Sequence, residues 1–420
     1  MARFLYCLVL YLGAPLIWLR LLWRSRKQPE YLRHLAERWG FYGAGEKRPV
    51  IWVHAVSVGE TRAAQPLIEA LLATFPDHRL LLTGMTPTGR AAGLEVYGQR
   101  VRQAYLPYDY PGASRRFLAH FRPRLGVLME TEVWPNLLAA ARRQNIPVTL
   151  ANARLSERSA RGYSRFAALT GPAFASLAAV AAQTGADAER LRRLGAPGVE
   201  VCGNLKFDVT PAADKVAQGQ AWREAIGPRP VWLAASTRDG EEALILDALA
   251  ASPLPDNTLL LLVPRHPQRF ADVAAEVEQR GLTMRRRSEG VPDPGIQVWL
   301  GDSMGEMAAY YALANLAYVG GSLLPLGGQN LIEAAACGCP VLVGPHTFNF
   351  TQASADAIAC GAALRVADAA QLVTRVDALL QNKQQLAAMA QAALGFTAAH
   401  RGTTRRTLAL ILRLPDRAAR

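Results

Sequence analysis

Glu60 stands three residues after Ser57, just past the apolar run Val50–Val56. A carboxylate there, at the mouth of a cleft, would take a proton from an acceptor hydroxyl, and a helix N-terminus would favour the ionised form that a general base needs. The same spacing is a capping box, with Ser57 as N-cap and Glu60 at N3, and a carboxylate engaged in a cap is less free to accept a proton. Glu130 and Glu132 lie two residues apart after the run Leu125–Met129. One of them either caps the helix beginning near Pro135 or sets negative charge against positive charge developing in a transition state. Lys206, in the segment Gly203–Asp208 that follows the run Val199–Cys202, is either an ordinary exposed lysine or a cation aimed at an anionic substrate.

The second half carries residues suited to a nucleotide. Val231–Ala235 ends in Ser236-Thr237-Arg238, and Leu259–Val263 ends in Pro264-Arg265-His266-Pro267. Arg265 beside His266 suits a phosphate or base contact, although a lone histidine is more often structural. Gly301-Asp302-Ser303-Met304-Gly305-Glu306 follows Val298–Leu300, and Gly320-Gly321-Ser322 and Gly327-Gly328-Gln329-Asn330 precede the predicted helix Leu331–Ala336. A glycine-rich loop entering a helix exposes unpaired N–H groups to an anion, and Glu333 in the first turn suits ribose hydroxyls. None of these loops is a Walker A or a strict G-x-G-x-x-G, which argues against a kinase or a dehydrogenase. Cys337-Gly338-Cys339, with one residue between the thiols and no second Cys/His pair nearby, reads as packing at a helix end.

These residues need a frame that gathers strand ends, and the composition supplies one. The chain has 420 residues, half of them hydrophobic and 19% charged, enough apolar material for large cores and about two to three domains. Eleven short Val/Leu/Ala-rich runs alternate with helical stretches. The first half has Val50–Val56, Leu80–Thr83, Leu125–Met129, Val148–Asn152, Ala179–Gln183 and Val199–Cys202. The second has Val231–Ala235, Leu259–Val263, Val298–Leu300, Leu316–Val319 and Val341–Val343. Such runs indicate parallel sheets covered on both faces, with ligands beyond the carboxyl ends of the strands. The pattern restarts near residue 230, after a polar stretch around Asp208–Gly227 that includes a predicted helix Ala212–Ala225; another is predicted over Thr61–Thr74. The expected architecture is α/β: two doubly wound, Rossmann-like domains facing a cleft, with residues 28–210 binding an acceptor and residues 228–395 binding a nucleotide.

Charge is concentrated at the ends. The net charge is +13, with +5 in residues 1–40, +5 in residues 401–420 and +3 in all that lies between. A nucleic-acid binder would spread basic surface over the folded body, so no nucleic-acid partner is expected. Phe4–Leu19 is uncharged and is followed by Arg20, Arg24, Arg26 and Lys27, which suits residues 1–27 as a membrane anchor or an interfacial helix with its cations on the cytoplasmic side. Residues 396–420 are expected as a basic helix returning to the first domain, which would bring both basic segments to one face. Five cysteines without a disulfide framework fit a reducing compartment.

The motifs, in order, resemble one family. Trp52-Val53-His54-Ala55-Val56-Ser57-Val58-Gly59-Glu60, Met85-Thr86-Pro87-Thr88-Gly89 and Tyr105-Leu106-Pro107-Tyr108-Asp109 come first. Met129-Glu130-Thr131-Glu132-Val133-Trp134-Pro135-Asn136, Ala151-Asn152-Ala153-Arg154-Leu155-Ser156 and Asn204-Leu205-Lys206-Phe207-Asp208 follow. The second half adds Val263-Pro264-Arg265-His266-Pro267, Gly301–Glu306 and Gly344-Pro345-His346-Thr347-Phe348-Asn349-Phe350. Together they resemble the 3-deoxy-D-manno-octulosonic acid (Kdo) transferases of lipopolysaccharide assembly, from the N-terminal segment to beyond residue 350.

That resemblance implies a GT-B glycosyltransferase at the cytoplasmic face of the inner membrane of a Gram-negative cell. It would transfer Kdo from CMP-Kdo to a lipid A precursor (lipid IVA), with inversion, without a metal in the active site and without a cofactor. By position, Glu60 would be the proton acceptor, and Glu130 and Lys206 would stabilise the transition state. CMP would draw on Arg265, His266, Met304, Gly305, Glu306, Asn330, Leu331, Ile332 and Glu333. Where many members read Gly-Gly-His-Asn-Pro, this chain has Gly327-Gly328-Gln329-Asn330-Leu331. The phosphates of the lipid acceptor suit the basic ends. A sugar-nucleotide epimerase would share the two domains but would convert donor without an acceptor, and a non-catalytic membrane scaffold would not depend on Glu60.

Overall fold

The computed structural model describes residues 1–26 and 28–414; Lys27 and residues 415–420, including Arg417 and Arg420 of the basic C-terminal end, lie outside the described residues. The chain forms two compact units. The first comprises Met1–Val209 together with the segment from Gly402 onward, and the second is the continuous stretch Thr210–Arg401.

The first unit is built on a seven-stranded sheet: β1 (Val50–His54), β2 (Arg79–Gly84), β3 (Arg102–Tyr105), β4 (Pro123–Met129), β5 (Val148–Ala153), β6 (Ala179–Ala182) and β7 (Val199–Val201). Their order is β3-β2-β1-β4-β5-β6-β7 and every pairing is parallel. Alternate residues of β1 feed two cores. Val50 and Trp52 pack with Phe117, Leu118 and Leu137 on one face, while Ile51 and Val53 pack with Leu67, Ile68 and Leu71 on the other. The order in which strands are added reverses between β1 and β4, so the loops after these two strands diverge and leave a crevice at the carboxyl edge.

The second unit repeats the plan with β8 (Val231–Thr237), β9 (Leu259–Pro264), β10 (Met284–Arg286), β11 (Val298–Leu300), β12 (Leu316–Val319), β13 (Val341–Val343) and β14 (Ala363–Arg365). The order β10-β11-β9-β8-β12-β13-β14 is again all parallel, and its switch point lies between β8 and β12. Three strands, β3, β10 and β14, carry no apolar run in the sequence. All three are sheet edges, and partial exposure relaxes the demand for continuous Val/Leu.

The domain boundaries differ from expectation in two places. Helix Ala213–Ile226, read as part of a linker, belongs to the second unit, where Trp222 is buried against Trp299 and Tyr310 with ring centroids 5.3 and 5.5 Å away. Residues 396–400 finish the helix Lys383–His400, also in the second unit, so the crossing back occurs at Gly402 rather than near 396. From there helix Thr403–Leu412 packs on helix Gln65–Thr74, with Ile411 in the same core as Ile51 and Val53. Asp208 accepts hydrogen bonds from the Gly402 and Thr404 N–H groups at its start.

The single helix expected within residues 1–27 is two, Ala2–Leu12 and Ala14–Ser25, bent by 47°. Pro15 opens the second, where its missing N–H costs nothing. Among the described residues no single helix is long and apolar enough to cross a membrane, although the bent pair passes that test together. The pair is pinned along one side: the Tyr6 hydroxyl donates to Asp109 at 3.1 Å, the Tyr110 hydroxyl donates to the Leu10 carbonyl at 2.7 Å, and Trp18 stacks on Trp39. Its other side leaves Phe4, Leu8, Leu12, Leu16, Leu19 and Trp23 exposed. Helix Ala2–Leu12 meets helix Ala167–Phe174, which covers the sheet face opposite to that covered by Thr403–Leu412. Helices Ala2–Leu12 and Thr403–Leu412 therefore lie on opposite faces of the sheet. Arg406 and Arg413 are also engaged within the protein, Arg406 with the Cys202 carbonyl and Arg413 with both Glu200 oxygens at 2.7 Å.

Candidate active site

The predicted helix Thr61–Thr74 is broken into Val58–Ala63 and Gln65–Thr74, because Pro66 cannot continue the first. The short first piece positions Glu60. Ser57 is its N-cap and accepts from the Glu60 N–H at 3.4 Å. The Glu60 side chain turns back, taking the Val56 N–H on Oε2 at 2.9 Å and the Ser57 hydroxyl on Oε1 at 3.2 Å. The Ser57 half of the expected capping box is therefore made, while Glu60 returns to the N–H of Val56 and not to that of Ser57. A carboxylate offers about four lone-pair sites, and two bonds leave room for an incoming hydroxyl. Burial pushes the Glu60 carboxyl from 4.5 up to about 7; the nearby charges of Glu130 and Glu132 act in the same direction against the Val56 and Ser57 hydrogen bonds.

Glu130 ends β4 on the far side of the switch point. Its φ of +57° is a left-handed conformation that costs a non-glycine residue about 1–3 kcal/mol and is retained where surrounding structure enforces it. Its N–H bonds the Ala151 carbonyl at 2.9 Å, and its carboxylate faces Arg154 at 3.5 Å. Glu132 accepts from Trp134 Nε1 at 2.7 Å, and burial, followed by the Glu130 charge, raises its pKa. Neither carboxylate caps the helix Pro135–Arg143. That role belongs to Asp109, which accepts from the Asn136 and Leu137 N–H groups at 3.0 and 2.8 Å and which the sequence pattern did not single out for it. Lys206 sits half-buried in a short 3₁₀ turn, Leu205–Asp208. Asn204 Oδ1 accepts from its N–H, and the preceding Leu205 N–H donates to Asn152 Oδ1 at the end of β5, each at 3.0 Å. The first unit thus brings Glu60, Glu130 and Glu132 within electrostatic reach of one another at its switch point, and ties the Lys206 turn to the neighbouring strand.

In the second unit, Arg265 and His266 follow β9 and share their surroundings with Arg238 and Arg269. Burial first, then these three arginines, hold the His266 imidazole below its usual pKa, so it is neutral at pH 7. A neutral imidazole in a field of cations suits a phosphate or base contact better than a site for another cation. Arg238 was already marked by its place at the end of a strand, whereas Arg269, in a proline turn, carried no distinct signal. Glu241, fully buried, accepts from the Tyr318 hydroxyl, from the Arg238 N–H at 2.9 Å, and from the Gly321 and Leu323 N–H groups, and so fixes the glycine loop after β12. Gly320 touches the end of β8 across the switch point; a Cβ there would lie 2.6 Å from the Ser236 carbonyl oxygen.

The remaining predicted nucleotide residues divide. Glu306 is nearly buried and fully engaged, accepting from Ser303, from Gln218 at 2.9 Å and from Arg287 at 3.1 Å. Burial alone would raise its pKa, but the Ser303 hydroxyl and the Arg287 charge hold it below the usual value, so it is an ionised buttress for the Ser303–Gly305 loop. Met304 is exposed, and Gly305 adopts φ +80°. Asn330 caps the helix Leu331–Ala336 through the Ile332 N–H at 3.2 Å and donates to Glu333 at 3.1 Å. The Leu331 and Ile332 side chains are core, so only their main chain can face a ligand. Cys337 and Cys339 are packed at the helix end, and burial pushes the Cys337 thiol up to about 12.

Known proteins match this chain over most of its length. Residues 33–209 match the family model of 3-deoxy-D-manno-octulosonic-acid transferase (kdotransferase). A 3-deoxy-D-manno-octulosonic acid transferase of Bordetella pertussis is 50% identical over 97% of this chain and 98% of its own. One of Haemophilus influenzae is 38% identical over 98% of each. The solved structure of a glycosyltransferase from Rickettsia africae covers 88% of this chain and 100% of its own at a TM-score of 0.59 and 14% identity, which shows a shared two-sheet fold. With switch-point carboxylates in one unit and an arginine-lined strand edge in the other, on a chain matched end to end, the protein belongs to the 3-deoxy-D-manno-octulosonic acid transferase family of glycosyltransferases.

Proposed function

We propose that the protein transfers Kdo from CMP-Kdo to a lipid A precursor with inversion, Glu60 acting as the general base. The observation that carries this reading is the Glu60 carboxylate: half-buried, aimed back along its own helix start, and brought to a pKa of about 7 beside Glu130 and Glu132. A base tuned near the working pH is both ionised in a useful fraction and strong enough to take a proton. Glu60 removes the proton of a sugar hydroxyl on the acceptor while that oxygen bonds to the anomeric carbon of Kdo. The bond from that carbon to the phosphate oxygen breaks, and CMP leaves with the electron pair. Glu130 faces the positive charge that develops on the Kdo ring, and Lys206 the anionic parts of the substrates.

The second unit is read as the CMP site. Arg265 and neutral His266, with Arg238 and Arg269 behind them, support binding of the phosphate and base; Asn330 and Glu333 offer side chains, and Leu331 and Ile332 main chain, to the rest. Glu306 holds the Met304-Gly305 loop that borders it. The exposed apolar side of the N-terminal helix pair, followed by Arg20, Arg24 and Arg26, supports seating at the cytoplasmic face of the inner membrane, where a glycolipid acceptor resides.

The test is Glu60→Gln. The amide keeps the shape and can still accept the Val56 N–H, so the variant should bind CMP-Kdo with wild-type affinity in a calorimetric titration while transfer falls by at least about 10³-fold. Turnover within a few-fold of wild type would remove Glu60 from the mechanism.

A further inference from the structure

Helix Glu157–Arg165 begins just after β5 and is fastened to the carboxylate loop: the Tyr163 hydroxyl donates to the Thr131 carbonyl at 3.5 Å, and Arg154 before it meets Glu130 at 3.5 Å. Ala160 is buried and Tyr163 half-buried against the body, while Arg158, Arg161 and Arg165, at i, i+3 and i+7, form one exposed stripe on the other side. The helix has a single acidic residue, Glu157, and that one is occupied by Arg190 and Arg193 at 3.2 and 3.4 Å. Three arginines therefore stand together on this helix without matching carboxylates of its own, and Arg154, paired with Glu130, precedes it. Phe166, 67% exposed, follows directly, and helix Ala167–Phe174 then joins this helix to the apolar N-terminal helix Ala2–Leu12.

A stripe of like charges on a helix is destabilising unless an anion bridges it. Guanidinium groups recognise phosphate through paired N–H bonds, so an arginine-only stripe is better suited to that ligand than mixed lysines would be. The path runs from Glu130, along the arginines, past Phe166, to the exposed apolar helices. That order matches a molecule whose hydroxyl-bearing sugar, phosphate and acyl chains follow one another.

We propose that Arg158, Arg161 and Arg165 bind a phosphomonoester of the acceptor glycolipid and so set which sugar hydroxyl reaches Glu60. This rests on the transferase reading above. The site is absent from the catalytic assignments already made, and its occupant is the acceptor's own phosphate and not the bulk membrane.

The triple variant Arg158→Gln, Arg161→Gln, Arg165→Gln alters only exposed side chains. Its affinity for the lipid A precursor in detergent micelles, measured by titration, should drop at least about tenfold, with KM for the acceptor rising in parallel and KM for CMP-Kdo unchanged. A precursor stripped of its phosphates should bind the variant and the wild type equally. Restoring lysines should recover part of the loss. Equal losses for both acceptors would overturn the proposal, as would a defect that tracks only co-sedimentation with anionic vesicles lacking acceptor, which would assign the arginines to lipid headgroups. A wild-type protein that discriminates the two glycolipids in binding yet transfers no Kdo would instead remove the transferase mechanism and leave the arginine site standing.

Discussion

The Glu60 carboxylate is fastened to its own helix start, and burial sets its acidity. Its hydrogen bonds to Val56 and Ser57 fix the side chain, while desolvation and two neighbouring carboxylates raise its pKa from 4.5 to about 7. A base with that pKa is mostly protonated at pH 6 and mostly ionised at pH 8. The acidic limb of kcat/KM for Kdo transfer should therefore rise about tenfold per unit below an apparent pKa near 7 and flatten above it; a limb centred below 5 would show that the carboxylate is solvated in the working enzyme. The sign for stability is opposite. A raised folded-state pKa means the native state holds the proton more tightly, so this residue's contribution declines as pH climbs from about 4.5 through about 7. The pairing of Ser57 with Glu60 was legible in sequence, and the structure holds the carboxylate at its own helix start with lone pairs to spare, which is what the proposed base requires. The altered pKa was not legible, since it depends first on burial and then on Glu130 and Glu132 arriving from a strand some 70 residues away.

Elements were readable where they are buried and obscure where they meet solvent or one another. The inner strands β1, β4, β8 and β9 announce themselves as unbroken apolar runs, because parallel strands covered on both faces have no polar side. The edge strands β3, β10 and β14 do not. Caps supplied from a distance are equally silent: Asp109 serves a helix that starts 26 residues later, and also receives the Tyr6 hydroxyl from the N-terminal helix pair. Burial raises its pKa to about 6, the hydrogen bonds partly offsetting this. Removing it as Asp109→Ala should cost about 1–3 kcal/mol, measured by urea unfolding, since two helix N–H groups lose their acceptor. The same change should speed proteolysis within residues 1–25, whose helices lose one of their few polar fastenings. Unchanged stability together with unchanged cleavage would show that neither contact matters.

Along the chain, an uninterrupted unit, Thr210–Arg401, separates the main part of the first unit from the helix after Gly402 that completes it. The restart near residue 230 made two domains legible, but the point of return was not, because helices Lys383–His400 and Thr403–Leu412 are separated only by Arg401 and Gly402. A chain stopped after Arg401 loses the buried Leu410 and Ile411 and leaves Asp208 without its two donors. The first unit should weaken by about 3–6 kcal/mol from the apolar loss alone, while the second, which keeps all its residues, should still melt as before. Calorimetry of the shortened protein checks this: one transition should move down and the other stay in place, and two transitions at wild-type temperatures would contradict it.

That discontinuity has a consequence for how the protein is made. A ribosome delivers all of β1 to β7 early, yet the core of Ile51, Val53 and Leu67 remains uncovered where Ile411 belongs until more than 200 further residues have been synthesised. At about 5–20 residues per second, this lasts some 10–40 s. Throughout that interval the nascent sheet carries an oily bare patch while the later unit is free to complete its own fold, so the half of the protein begun first is the half finished last.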